Sequence, residues 1–366
     1  MAIIGGRGYP YVYSGYETFI KELCERLNDK YEFHIYCHAE LFEEKPKVVN
    51  GIHLHYHYGI NIKVLTQLSH SLFATFHAFF AKHDVYFFVN TSNGPFGWFL
   101  NLFNRITVIN TDGLEWKRPK WKGLGAKYFY WASKLSAKTF KHLIADSEEM
   151  RNIYLRKFNR DSTVIAYGAN VRKSQNSSAL EKFNLKKDSY YLIVGRLIPD
   201  NNSDLIIQGF IDSQTVKQLV VVGDIPFKDK YAEKIKSIKH ERIILTGYVE
   251  NQNDLQVLYE NCFCYFHGHE YGGTNPTLLK ALAYGCCVLA LDTAFSREVL
   301  NEENYGTYFE KSVKEVEKVI EKVETEDYPV QEYRNKSKER IQSEYTWEKI
   351  ANQYDTFFND IMGADA

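Results

Sequence analysis

The chain lacks most of what would make it secreted, membrane-spanning or nucleic-acid-binding. Its six cysteines in 366 residues are too few for a disulfide framework. Cys262, Cys264, Cys286 and Cys287 lie in apolar, strand-like runs, which reads as buried free thiols and a reducing compartment. Grouped with His267 and His269, Cys262 and Cys264 also lack the pair spacing usual in structural zinc sites. A formal net charge of -1 leaves no broad basic excess, which excludes a general nucleic-acid binder. No apolar run is clean over the ~20 residues that a membrane-spanning helix needs. The most apolar helical stretch, 64–81, is interrupted by Gln67, His70 and His77. The opening residues read as a strand and a glycine turn and not as a signal peptide.

Other absences narrow the chemistry. The opening "IIGGRGYPYVYSGYETF", Ile3 to Phe19, resembles a phosphate-holding turn, but a dinucleotide fingerprint from Gly6 would need glycine where Tyr11 stands. Pro10 occupies a place where a helix should be starting, and no P-loop lysine follows. What remains is either a tight turn with no ligand or a helix N-terminus at Gly15 aimed at an anion. No carboxylate pair at glycosidase spacing and no D-x-D-like motif stands out. The expectation is therefore no cofactor and no essential metal.

What is present is a folded chain, 45% apolar and 25% charged, long enough for two domains. Strand candidates at 31–37, 51–57, 85–89, 106–109, 143–145 and 163–166 alternate with helical patterns. One of these, 17–27, places Phe19, Ile20, Leu23, Cys24 and Leu27 on one face, with Ser14 and Glu17 as a capping box. The polar stretch "GANVRKSQNSSALEKFNLKKD" reads as a linker. Alternation resumes at 191–194, 219–222, 243–245, 263–266 and 288–291. Such alternation predicts two doubly wound α/β domains facing across a cleft. The expected division is 1–170, a linker at 171–185, 186–345, and a last helix at 346–366 that packs back on the N-terminal domain.

Two further devices suit phosphate. "HGHEYGGTNPTLLKALAYG" joins a buried strand to a helix, with Gly272 and Gly273 bare and Thr274 and Asn275 able to cap. "LIVGRLIPDNN" ends a strand on Gly195-Arg196, and arginine there can hold phosphate bidentately.

With these blocks, "NTDGLEWKRPKW" and the "YTWEKIANQY" tail, the chain resembles the retaining GT-B glycosyltransferases of family 4. Within them it is similar to the bacterial rhamnosyltransferase-like subgroup that builds capsule, O-antigen and rhamnose polysaccharides. The resemblance implies a nucleotide-sugar donor held mainly by the C-terminal domain and an acceptor entering from the N-terminal side. It puts Gly15 near the donor diphosphate and pairs Arg196 with it. Gly272, Gly273, Thr274 and Asn275 would surround sugar and phosphates, Tyr248 and Val249 would flank the base, and Asp112 would stand at the reacting centre. Three positions depart from the family. Asn201 replaces a lysine, as in the subgroup; Lys280 replaces a ribose-binding glutamate; and Glu270 stands where relatives carry a small residue. Lys280 either points into solvent or supplies charge missing at Asn201. A deoxyribose donor such as dTDP-rhamnose suits the missing glutamate.

Retention without an enzymic nucleophile implies same-face attack, with the departing diphosphate taking the acceptor's proton. Between Glu115 and His142 eight lysines and arginines face a single acid and interleave with aromatics. Trp116, Lys117, Arg118, Lys120, Trp121 and Lys122 read either as a solvated face or as one lying on anionic lipid. The expectation is a cytoplasmic enzyme, peripheral on the inner membrane face, that transfers rhamnose from dTDP-rhamnose to a lipid-linked saccharide. The alternatives are a UDP-hexose transferase, a GT-B epimerase and a non-catalytic sugar-nucleotide-binding protein.

Overall fold

Strands and helices alternate along the chain, as the apolar periodicity predicts, and assemble into two largely parallel sheets. The computed structural model describes all residues except 12–14, 63–64, 112, 120, 122, 173, 175–177, 226–228 and 365–366. It divides into one unit of Met1–Lys117, Trp121–Gly168 and Trp347–Ala366, and a second of Arg118–Lys120 and Ala169–Thr346.

In the first unit the strands are β1 (Ala2–Ile4), β2 (His34–His38), β3 (Val48–Val49), β4 (Ile52–His57), β5 (Val85–Val89), β6 (Ile106–Asn110), β7 (His142–Ala145) and β8 (Thr163–Val164). Their order is β3-β4-β2-β1-β5-β6-β7-β8, with only β3 antiparallel to its neighbour. The helices are α1 (Gly15–Leu27), α2 (Leu65–Ala81), α3 (Gly94–Asn101), α4 (Leu124–Thr139) and α5 (Glu148–Phe158).

The second unit runs α6 (Ser178–Lys182), β9 (Tyr190–Val194), α7 (Ser203–Asp212), β10 (Gln218–Val222), α8 (Lys230–Lys236), β11 (Ile243–Gly247) and α9 (Gln252–Asn261). It continues with β12 (Cys264–His267), α10 (Pro276–Ala283), β13 (Val288–Leu291), α11 (Ala294–Leu300), β14 (Thr307–Phe309), α12 (Val313–Val323) and α13 (Val330–Glu344). Its sheet order, β11-β10-β9-β12-β13-β14, is that of a doubly wound dinucleotide-type domain. The final helix, α14 (Trp347–Ala364), returns to the first unit. There Tyr354 meets Phe19 at 5.3 Å and Phe358 meets Tyr31 at 5.6 Å.

The central strands are buried along their whole length, which is why "YYLIV" and "VYFFV" read as unbroken apolar runs. Around Tyr191, Phe210 and Phe266 a single apolar cluster covers the second sheet. Each such side chain contributes about 1.5–3 kcal/mol by leaving water. Helix α12 shows the local rule, with Ser312 capping its start and Val316, Val319, Ile320 and Val323 buried along one stripe.

Element boundaries differ from expectation where side chains find tertiary partners. The strand expected at 31–37 begins only at His34, because Tyr31 turns to hydrogen-bond Asp355 and to pack edge-on against Phe358. The stretch 171–185 is not uniformly extended, since α6 lies within it. Ser14 of the expected capping box lies outside the described residues; the Glu17 carboxylate accepts from the Arg7 amide. All six cysteines are buried free thiols.

Candidate functional site

In open parallel sheets ligands bind beyond the carboxyl ends of the strands where strand order reverses. In the second unit that point lies between β9 and β12. The chain leaving β9 makes Gly195-Arg196, and the chain leaving β12 makes Gly268 to Asn275 before α10. A shallow concavity, partly open to solvent, is lined by His267, His269, Tyr271, Gly272, Gly273, Asn275, Leu278, Phe295 and Ser296.

The floor is held by buried polar contacts. Asn201 donates its amide to the Arg196 carbonyl at 2.8 Å, and Asn202 donates to the Gly268 carbonyl at 2.8 Å. The Glu270 amide donates to the Asp200 carbonyl at 3.0 Å, tying the two loops together. Asn275 caps α10 by accepting from the Thr277 amide and hydroxyl, at 2.9 and 2.7 Å, and Pro276 fills the first helical position. The helix N-terminus, with its partial positive charge, therefore opens at the pocket wall.

Arg118 borders this wall, and Gly195, next to Arg196 in the chain, lies against His269. Arg118 donates to the Asp200 carboxylate at 3.2 Å and to the Tyr271 carbonyl at 3.4 Å. Asp200 is buried, so the pair is held in one geometry. His269 stacks on His267 at 4.4 Å and is partly buried. Burial, then the charges of His267, Arg196 and Arg118, holds it well below its ordinary pKa and hence neutral. Its Nδ1 has no hydrogen-bond partner among the described residues. Burial likewise pulls His267 down to about 3. At Gly272, whose φ is +127°, an added Cβ would meet only the Arg118 guanidinium, at 3.7 Å.

Of the residues singled out in the sequence, Gly272, Gly273 and Asn275 line the pocket, while Thr274 is buried beside them. Arg196 is exposed on the loop after β9. After Gly247, Tyr248 is exposed and Val249 buried. Glu270 pairs with Lys311 at 2.5 Å. Lys280 is half-buried on α10. Gly15 opens α1 in the first unit. Asp112, Lys120 and Lys122 lie outside the described residues.

One expectation needs correction and another residue gains a second role. Asn201, which carries no charge, has a structural part that the sequence did not show: its amide holds the Arg196 loop. The stretch 116–122 is not a single outward face. Trp116 packs among Tyr130, Tyr154 and Phe158, and Trp121 packs on Phe129 while donating to Glu115 at 2.6 Å. Arg118 is mostly buried against Asp200, and Lys117 is exposed. Sequence reasoning missed Arg118, Asp200 and His269 as site residues. The available signal was that Arg118 is the one arginine among the lysines of that stretch, and planar, bidentate pairing is what arginine does and lysine does not.

Two such sheets on one chain define the GT-B fold, and comparison with known proteins agrees. Residues 176–343 match the family described as "Glycosyl transferases group 1". Residues 71–170 match a "Domain of unknown function (DUF1972)". Over 148 residues the chain is 28% identical to N-acetylgalactosamine-N,N'-diacetylbacillosaminyl-diphospho-undecaprenol 4-alpha-N-acetylgalactosaminyltransferase of Campylobacter jejuni. That match covers 40% of this chain and 40% of the relative. Among solved structures it is similar to a sucrose-phosphate synthase from Thermosynechococcus elongatus (TM-score 0.83, 17% identity, 99% of each chain). It is also similar to Anabaena HepE in complex with UDP-glucose (TM-score 0.79, 12% identity, 98% of each chain).

Proposed function

We propose that this chain is a retaining glycosyltransferase of family 4 that moves a sugar from a nucleotide donor to a lipid-linked glycan. Rhamnose from dTDP-rhamnose is the favoured donor, on the subgroup resemblance. The observation that carries the reading is the meeting of Arg118 and the α10 N-terminus at the bare backbone of Gly272, beside a neutral His269 on which the Arg196 charge also acts. This is a cradle for a diphosphate.

In this reading the anomeric carbon's bond to the diphosphate breaks as the acceptor hydroxyl oxygen bonds that carbon on the same face. The hydroxyl proton passes to a departing phosphate oxygen. Arg196 and Arg118 stabilise charge growing on the leaving group, Thr274 and Asn275 hold the sugar side, and Tyr248 and Val249 flank the base. Asp112 acts at the reacting sugar. Because the arginines carry the charge, turnover persists in EDTA. Lys280 adds positive charge near the donor, so Lys280→Glu raises its KM.

The lipid-linked acceptor is supported by the name of the Campylobacter relative, whose substrate is a diphospho-undecaprenol. A membrane-facing surface is supported by exposed Phe73, Phe76 and Phe80 of α2 with Trp98, Leu102 and Phe103 on and beyond α3. Exposed Lys127, Lys134 and Lys138 of α4 add cationic charge. None of the described helices is long and apolar enough to span a bilayer, and the contact in this reading is peripheral, on the cytoplasmic face. Anionic vesicles sediment the protein, and charge reversal at Lys117, Lys120 and Lys122 with Phe80→Ser and Trp98→Ser weakens this. Equal sedimentation of wild type and variant would remove the membrane surface.

A second reading, a UDP-hexose donor, is favoured by the UDP-glucose in HepE. Thermal shift against dTDP, UDP, GDP and NAD, followed by donor turnover with a polyprenyl-diphosphate saccharide, separates the readings. A larger shift with dTDP supports the deoxyhexose donor, and a shift with UDP alone supports the hexose. No shift with any nucleotide overturns the proposal.

A further inference from the structure

The first sheet holds a second cluster of chemically able side chains that sugar transfer does not use. On β2 and β4 the residues facing one side are not apolar. His34 stands opposite His53, and Tyr36 opposite His55, in parallel register. The His34 and His53 rings stack at 4.7 Å and 17°. Glu32, just ahead of β2, brings Oε1 to 2.8 Å from His34 Nε2 and 3.7 Å from His53 Nε2. The three ligand atoms all lie within 4.8 Å of one another.

We infer that Glu32, His34 and His53 form a binding site for a divalent transition metal of the zinc class. Two imidazoles and a carboxylate suit such ions. At zinc bond lengths near 2.0–2.1 Å, tetrahedral ligands stand about 3.4 Å apart, a value the two measured distances to Glu32 bracket. Entry to the site is open, because Glu32 and His53 are substantially exposed.

A supporting shell is already in place. His34 Nδ1 lies 3.0 Å from His55 Nε2. With the ion on His34 Nε2, Nδ1 carries the proton and donates it to His55, which fixes ring orientation as in known histidine–metal sites. His55 in turn stacks on Tyr36 at 4.9 Å. The ion would take the place of the hydrogen bond between His34 and Glu32, with the exposed Glu32 side chain moving back to admit it. It would pin two neighbouring strands through their side chains.

The site is independent of the donor-binding reading, and so is its test. Tag-free protein is titrated with ZnCl2 by calorimetry, and CoCl2 is added separately to read the visible d–d bands of protein-bound cobalt. One equivalent of zinc and tetrahedral-type cobalt bands are expected. His53→Ala and Glu32→Gln should each weaken zinc at least ~10-fold and lose the cobalt bands, while keeping the metal-free Tm. His57→Gln, four residues further along β4, should bind as wild type does. Absence of zinc binding, or equal binding by all variants, would overturn the inference. Loss in His57→Gln with retention in His53→Ala would overturn it too, by moving the ion to other imidazoles.

Discussion

Two glycine-rich turns lie beyond the carboxyl ends of parallel strands, one in each unit, and they use glycine for opposite reasons. After β1, a Cβ on Gly5 would come within 2.5 Å of the Val89 carbonyl oxygen and of the Asn93 amide. One on Gly6 would strike Ile20 at 2.6 Å, and one on Gly8 would strike Phe42 at 2.8 Å. These glycines let the protein pack on itself. After β12, Gly272 has no neighbour nearer than the Arg118 guanidinium. That glycine leaves space for something else, and the Arg118 guanidinium borders the space. Glycine content therefore does not identify a phosphate site; what already fills the room around it does.

The largest effect that would sharpen this contrast is kinetic. Arg196→Ala should lower donor kcat/KM by about 100- to 1,000-fold with an unchanged Tm, since Arg196 is exposed. Arg118→Ala should lose comparable activity and also about 3 kcal/mol of stability in urea, because buried Asp200 would lose its counter-charge. Full activity in Arg196→Ala would break the contrast outright.

The glycines themselves come next. Gly5→Ala combines a positive φ of +102° with backbone overlap and should cost at least about 2 kcal/mol by denaturant unfolding. Gly272→Ala is strained by its φ alone, about 1 kcal/mol, and should act chiefly by raising donor KM. Equal stability losses from the two would mean that both turns are packing devices.

Acid should test both units together. His70, stacked on His38 at 3.7 Å in the first unit, is pulled down to about 3 by burial and then by the charge of His38. His267 in the second is pulled to about 3 by burial. Unfolded, each binds its proton near 6.5, so between those values the unfolded state holds more protons and stability falls as pH falls. Tm should be level above pH 7 and decline steadily toward pH 4, with a shallower decline in His70→Phe. The smallest expected change is Asn275→Ala, which removes the α10 cap for about 1 kcal/mol.

Much of the fold was legible because period and burial agree. Apolar runs of strand length separated by helical stripes dictate parallel sheets, and "YYLIV" has no other stable home than a strand covered on both sides. The glycines and cap before α10 were legible for the same local reason. The first sheet misled more, because "IHLHYH" across β4 alternates histidine with apolar residues and gives no hint that a second strand brings His34 opposite His53.

Sequence alone thus determined the element order, the two-sheet plan, the buried thiols and the helix cap at Asn275, all of which depend on residues near one another in the chain. Tertiary structure alone decided that Arg118 joins Asp200 and Tyr271, 82 and 153 positions away, and that Asn201 serves the Arg196 loop. It also decided which glycine turn is filled and which is open. These outcomes turn on which side chains meet across a fold, and no local propensity encodes a distance between loops that the sheet sets.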